Sequence, residues 1–136
     1  MVFNLFNSPS QDEKYKVGQI WNYQTRKGEE NSTLIIVGVE KNKKLGTIIN
    51  IYVDGLKVKN SNVENGFSDK IQHLPFAKDA IDKSVIKLVG IAKELPDYKD
   101  GYNEWKSEFE NGKAGVFTIS VKEAINAMET TLNQGH

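Results

Sequence analysis

The chain contains no cysteine, which excludes disulfides, thiolate catalysis and cysteine-bound metals. That absence fits a reducing compartment, and a cytoplasmic location is the expectation. Arginine is almost missing too: Arg26 stands alone among lysines. Phosphate backbones are gripped by strongly basic faces. The formal net charge here is zero, so nucleic acid is not an expected partner. No stretch approaches the roughly 20 apolar residues that cross a bilayer, so no transmembrane segment is expected. Histidine is restricted to His73 and His136. With so few nitrogen ligands and no thiolate, neither a metal site nor a cofactor is expected. Gly28, Gly38, Gly46 and Gly55 stand apart from one another and make no phosphate-cradling loop.

What is present suits one globular domain. The 136 residues are 38% hydrophobic and 26% charged, values that argue against disorder. The reading is a lead-in over residues 1–14, then a single α+β domain over residues 15–134. The apolar start, with Phe3, Leu5 and Phe6, lacks a basic flank and makes a poor signal peptide. It reads as a flexible end, or as a peripheral contact with a membrane or partner.

Alternation over Val17 to Thr25 sets Val17, Trp21 and Tyr23 on one face of a first strand. Ser32 to Glu40 is a second strand. Its run Leu34-Ile35-Ile36-Val37 is apolar on both faces, which places it centrally. Thr47 to Val53 is a third strand, rich in β-branched residues. Asp54-Gly55 then reads as a type I′ hairpin turn leading into a fourth strand, Leu56-Lys57-Val58. Asn60 to Gln72 reads as a surface loop. Pro75 suits a helix start, and Phe76, Ala80, Ile81, Val85, Leu88 and Val89 follow at helical spacing.

Tyr102, Trp105 and Phe109 form the aromatic stripe of a second helix, with Gly112 ending it. Ala114 to Ile119 is a late edge strand. Ser120 and Glu123 make a capping box opening the last helix, whose buried stripe is Val121, Ala124, Ile125, Met128 and Leu132. The expected fold is therefore an antiparallel β-meander of four strands plus one late edge strand, packed against about three helices.

The segment from Tyr15 to Ser32, with Gly18-Gln19-Ile20-Trp21 and Thr25-Arg26-Lys27-Gly28-Glu29-Glu30, resembles the opening of a group of small, uncharacterised bacterial proteins. Asp54-Gly55-Leu56, Leu74-Pro75-Phe76, Gly101-Tyr102-Asn103-Glu104-Trp105 and Gly115-Val116-Phe117-Thr118-Ile119 look like later landmarks of that group. The resemblance implies a bacterial α+β domain and carries no catalytic residue with it.

The loop from Thr25 to Thr33 draws most interest. Arg26 offers a planar donor fork for a carboxylate or phosphate. Glu29 and Glu30 could bind a cation or act as acid and base, and Ser32 adds a hydroxyl. The simpler reading is a solvated turn in which Arg26 pairs with Glu29 or Glu30. His73, with Ser68, Asp69 and Ser84 near in sequence, lacks a nucleophile elbow and an oxyanion donor. It reads more simply as a loop or cap residue. Trp105 is a core residue or an aromatic anchor for a partner. These residues favour a non-enzymatic binding or accessory domain that meets a protein partner, and a partner encoded nearby is the expectation. The alternative is a small-molecule-binding domain or minor hydrolase built on Arg26, Glu29 and Glu30.

Overall fold

A computed structural model describes residues 14–134. The readings made for Phe3, Leu5, Phe6 and His136 lie outside the described residues. Strands β1 (Gln19–Tyr23), β2 (Thr33–Asn42), β3 (Gly46–Lys59) and β4 (Phe67–Ala77) come first. Helix α1 (Lys78–Asp82), strand β5 (Val85–Ile91), and helices α2 (Lys99–Glu110) and α3 (Val121–Asn133) follow. The strands form one antiparallel sheet in the order β4-β3-β2-β1-β5. The fold is thus α+β, with four meander strands and a later strand added at one edge.

Cross-strand partners define two faces. Trp21, Leu34 and Val53 are in register, as are Ile36, Ile51 and Leu74. This face is the main core, closed by Ala80 and Ile81 of α1 and Val121, Ala124 and Ile125 of α3. Side chains alternate along each strand, so Glu40, Ile48, Asn50 and Tyr52 turn to the opposite face. Helix α2 packs there. Lys106 reaches Glu40 at 2.6 Å, and Trp105 and Tyr102 pack on His73 with ring centres 5.3 and 5.4 Å away.

Four sequence expectations are overturned in the middle of the chain. Asp54-Gly55 is no hairpin tip. Gly55 does take a positive φ of 72°, as that dipeptide demands, but it does so inside the continuous strand β3. The register jumps between Asp54 and Val58 opposite β4, so the glycine serves a bulge instead. That bulge lets both Leu56 and Val58 reach the core.

The fourth strand is β4, which takes up part of the expected loop and the expected helix start. Pro75 is tolerated because β4 is an edge strand. Its carbonyl points outward and accepts the Phe117 N–H at 2.9 Å. A residue's N and C=O lie on the same side of a strand, so the missing N–H of Pro75 is not needed by β3.

The expected helix over Phe76 to Val89 shrinks to α1. Ser84 ends it by donating to the Ala80 carbonyl at 2.7 Å while accepting the Val121 N–H at 3.0 Å. The β-branched run that follows becomes β5. Ala114 to Ile119 is not a ladder strand. Only Phe117 pairs, in parallel, with Phe76. Val17 also falls outside β1 and is exposed.

Other expectations hold. β1 carries Trp21 and Tyr23 inward. Ser120 and Glu123 form the reciprocal capping box of α3. Gly112, with φ of 75°, follows the end of α2. No helix among the described residues is long and apolar enough to cross a membrane.

Candidate functional site

The Thr25–Thr33 loop folds inward rather than standing in water. Glu29 is 2% exposed. Arg26 donates Nε to Glu29 Oε1 at 2.8 Å and Nη2 to Glu29 Oε2 at 2.7 Å. Nη1 donates to Asn126 Oδ1 at 3.0 Å and Glu129 Oε1 at 3.1 Å, and Nη2 also meets the Lys57 carbonyl at 3.3 Å. A guanidinium has five N–H donors. Every one is taken, so none is left for an outside anion. The carboxylates, Glu29's first, hold the guanidinium well above its ordinary pKa.

Both glutamates also serve the backbone. Glu29 Oε2 accepts the Lys57 N–H at 2.7 Å, and Glu129 Oε2 accepts the Lys59 N–H at 2.6 Å. The cluster is a clamp joining the loop, the β3 bulge and α3. Ser32 belongs to the same junction: its Oγ donates to the Asp54 carbonyl at 2.5 Å and so accepts from the Tyr23 hydroxyl at 2.7 Å. Burial pushes the Tyr23 hydroxyl up to about 12. Glu30 stands apart, exposed, and accepts the Gly28 N–H at 2.9 Å. The structure therefore brings Arg26, Glu29 and Ser32 together but leaves Glu30 outside.

His73 and Trp105 meet on the far side of the sheet. Asn50, fully buried, donates Nδ2 to Glu40 Oε2 at 2.7 Å. Its Oδ1 must then accept from His73 Nε2, 2.7 Å away. That fixes the histidine tautomer: Nε2 carries the proton and Nδ1 presents a lone pair. Burial pushes the His73 imidazole down to about 4, against the opposing pull of Glu40. Burial would raise Glu40, but hydrogen bonds from Lys106, Tyr102 and Asn50 outweigh it and hold the carboxylate below its ordinary pKa. Trp105 Nε1 donates to the Gly115 carbonyl at 2.8 Å, and its ring stacks on Phe109 at 4.8 Å.

Beside this cluster lies a cavity of about 590 Å³ between β4, α2 and the segment 114–117, lined also by Met128 of α3. Glu104 and Glu108, both exposed, are among the residues that line it. Sequence reasoning named His73 and Trp105 but not Asn50, Glu40, Glu104 or Glu108. The i, i+4 spacing of the two α2 acids was the available signal.

The second feature missed is β5. Ile86 and Ile91 are 63% and 65% exposed, and Leu88 and Val89 are 41% and 49% exposed. Ile86 and Val89 are the extra residues at two register shifts against β1. Val17 adds to the patch, since Gly18 beside it abuts Ile91. The other edge differs. β4 presents Asp69, Lys70 and Gln72 to solvent, and Phe117 caps its end. Charge is the usual means of blunting an edge strand, and β5 has only Lys87. Among the described residues no group of acidic and histidine side chains could hold a metal ion. No family model, no curated protein and no solved structure matches the chain.

Proposed function

We propose that this chain is a non-enzymatic binding domain that docks a protein partner along the β5 edge. The observation that carries the reading is the apolar row Ile86, Leu88, Val89 and Ile91 on an edge with no neighbouring strand among the described residues. Monomeric proteins rarely leave such contiguous apolar surface uncovered unless something binds it. No described strand pairs with the outer side of β5, which can therefore extend the sheet by a short ladder. The partner it fits is an extended, apolar segment with acidic flanks. Lys87 lies in β5 and is exposed, as are Lys83 just before the strand and Lys93 just after it. Two copies paired antiparallel about Leu88 would bring the Lys83 end of each strand toward the Lys93 end of the other, and like charges brought together across strands are unfavourable. An acidic-flanked partner is favoured over self-pairing for that reason.

Selection of a random peptide library on the immobilised chain tests this. Enriched peptides should be apolar at alternate positions with acidic ends, and should slow amide exchange across β5. Ile86→Lys and Ile91→Lys, both at exposed positions, should abolish capture while leaving the fold intact. Enrichment that survives these two changes would place recognition elsewhere. Concentration-dependent dimerisation removed by the same changes would make β5 a self-pairing edge and overturn the partner assignment. The Arg26 loop is not favoured as a ligand site because all its guanidinium donors are spent within the protein.

A further inference from the structure

We propose that residues 2–6 of this same chain compete for the β5 edge, adding to it as an antiparallel strand that a partner must displace. The inference rests on the reading of β5 as a docking edge and names what regulates that edge.

The sequence of the segment has the chemistry the edge selects. Val2-Phe3-Asn4-Leu5-Phe6 is apolar at four of its five positions. In an extended chain Phe3 and Leu5 share one face and Val2, Asn4 and Phe6 the other. Asp12 and Glu13 follow as an acidic flank. The edge offers Ile86, Leu88, Val89 and Ile91, with exposed Lys83 and Lys93 at its two ends. Strand addition needs this match of apolar side chains and flanking charge, since main-chain pairing by itself is unselective.

The point of attachment brings the segment within reach. Lys14, the first described residue, has Nζ 3.6 Å from Asp82 Oδ1, and the Tyr15 hydroxyl donates to the same oxygen at 2.6 Å. Asp82 ends α1 and stands three residues before Val85, where β5 begins. Three Cα steps cover at most about 11 Å. Residues 7–13 then supply a tether of up to roughly 25 Å, and the seven residues of β5 span about 23 Å. The shortest path sets Phe6 toward Val85 and Val2 toward Ile91, which is the antiparallel sense. It also keeps Asp12 and Glu13 near the Lys83 end. Pro9, which has no N–H to give a ladder, falls in the tether and outside the added strand.

A tethered segment meets its site at an effective concentration of about millimolar, which a second copy matches only in very concentrated solution. The chain's own segment is therefore favoured over a neighbour's. For an intrinsic affinity of about 0.1 mM, the tether weakens any competitor about tenfold.

Amide exchange of the full chain, compared with its Phe3→Asp, Leu5→Asp double variant, tests this. Exchange across β5 should be about tenfold faster in the variant, and Ile86→Lys should produce the same loss from the other side of the contact. A synthetic peptide of residues 2–13 should bind the double variant about tenfold tighter than the unaltered chain, and adding Ile86→Lys should abolish that binding. Equal β5 exchange in the two forms, or equal peptide affinity, would overturn the proposal. Protection that disappears on tenfold dilution would assign the added strand to a second copy and overturn it too. Library peptides that bind both forms equally would sink this inference and leave the partner reading standing. Protection lost in the variant, with no library peptide captured by either form, would uphold this inference and sink the partner reading.

Discussion

Arg26 and Glu29 hold each other through two parallel hydrogen bonds of 2.8 and 2.7 Å, with Glu29 withdrawn from solvent behind the guanidinium. The pair has a structural role, because Glu29 also takes the Lys57 N–H at the β3 bulge. Removing one partner of a buried pair leaves the other charged and undersatisfied, which costs about 3–5 kcal/mol. Glu29→Ala should lose about 3 kcal/mol in urea unfolding, the low end, because Glu129 still accepts from Arg26. Glu30→Ala, one residue on and exposed, should change stability by less than about 0.5 kcal/mol.

The His73–Asn50 contact predicts a pH dependence. The imidazole titrates at 6.5 in an unfolded chain and at about 4 in the fold. Between those values the unfolded state binds a proton that the native state refuses. Stability therefore falls as pH drops from 6.5 to about 4 and levels off below. The loss approaches about 3 kcal/mol at 1.36 kcal/mol per pH unit. Denaturant midpoints measured from pH 7 to 4 should show this slope, and His73→Gln should flatten it.

Gly55 and Gly28 both have positive φ, 72° and 89°, but different surroundings. A Cβ at Gly55 would lie 3.0 Å from the Ser32 Cα, whereas one at Gly28 meets nothing within 4 Å. Left-handed backbone costs a non-glycine residue about 1–2 kcal/mol. Gly28→Ala should lose about 1 kcal/mol. Gly55→Ala should lose more than twice that, since backbone must move as well. Thermal melts of the two variants compare them directly.

Isoleucines at Ile125 and Ile86 should separate core from surface. Ile125 is fully buried between α3 and the sheet, and Ile125→Ala should lose about 2–5 kcal/mol. Ile86→Ala should lose less than about 0.5 kcal/mol, because that side chain is 63% exposed. A large loss at Ile86 would mean that β5 is packed against something already.

The sequence alone determined the features that depend on neighbours in the chain. The alternation of Trp21 and Tyr23, the apolar run Leu34 to Val37, the aromatic spacing of α2 and the Ser120–Glu123 capping box each need only residues a few positions apart. The requirement for positive φ at Gly55 was also legible. Tertiary structure decided what that φ was for. The 46–59 strand runs through it because β4 pairs along both sides of the bulge and Glu29 accepts the Lys57 N–H. Likewise, the apolar residues from Phe76 to Val89 fit a helix by spacing alone. Two distant partners divide that stretch: Phe117 against Phe76, and β1 against Val85 to Ile91.

Site chemistry followed the same division. His73, Trp105, Arg26 and Glu29 were identifiable as chemically capable groups, but capability did not fix their partners. Arg26 finds Asn126 and Glu129 about a hundred residues away, and His73 finds Asn50 across a strand pair. Hydrogen bonding acts over about 3 Å of space and is indifferent to distance along the chain. Local pattern therefore fixed which segments could become helix or strand, while long-range pairing decided which did and which polar groups were left open to bind.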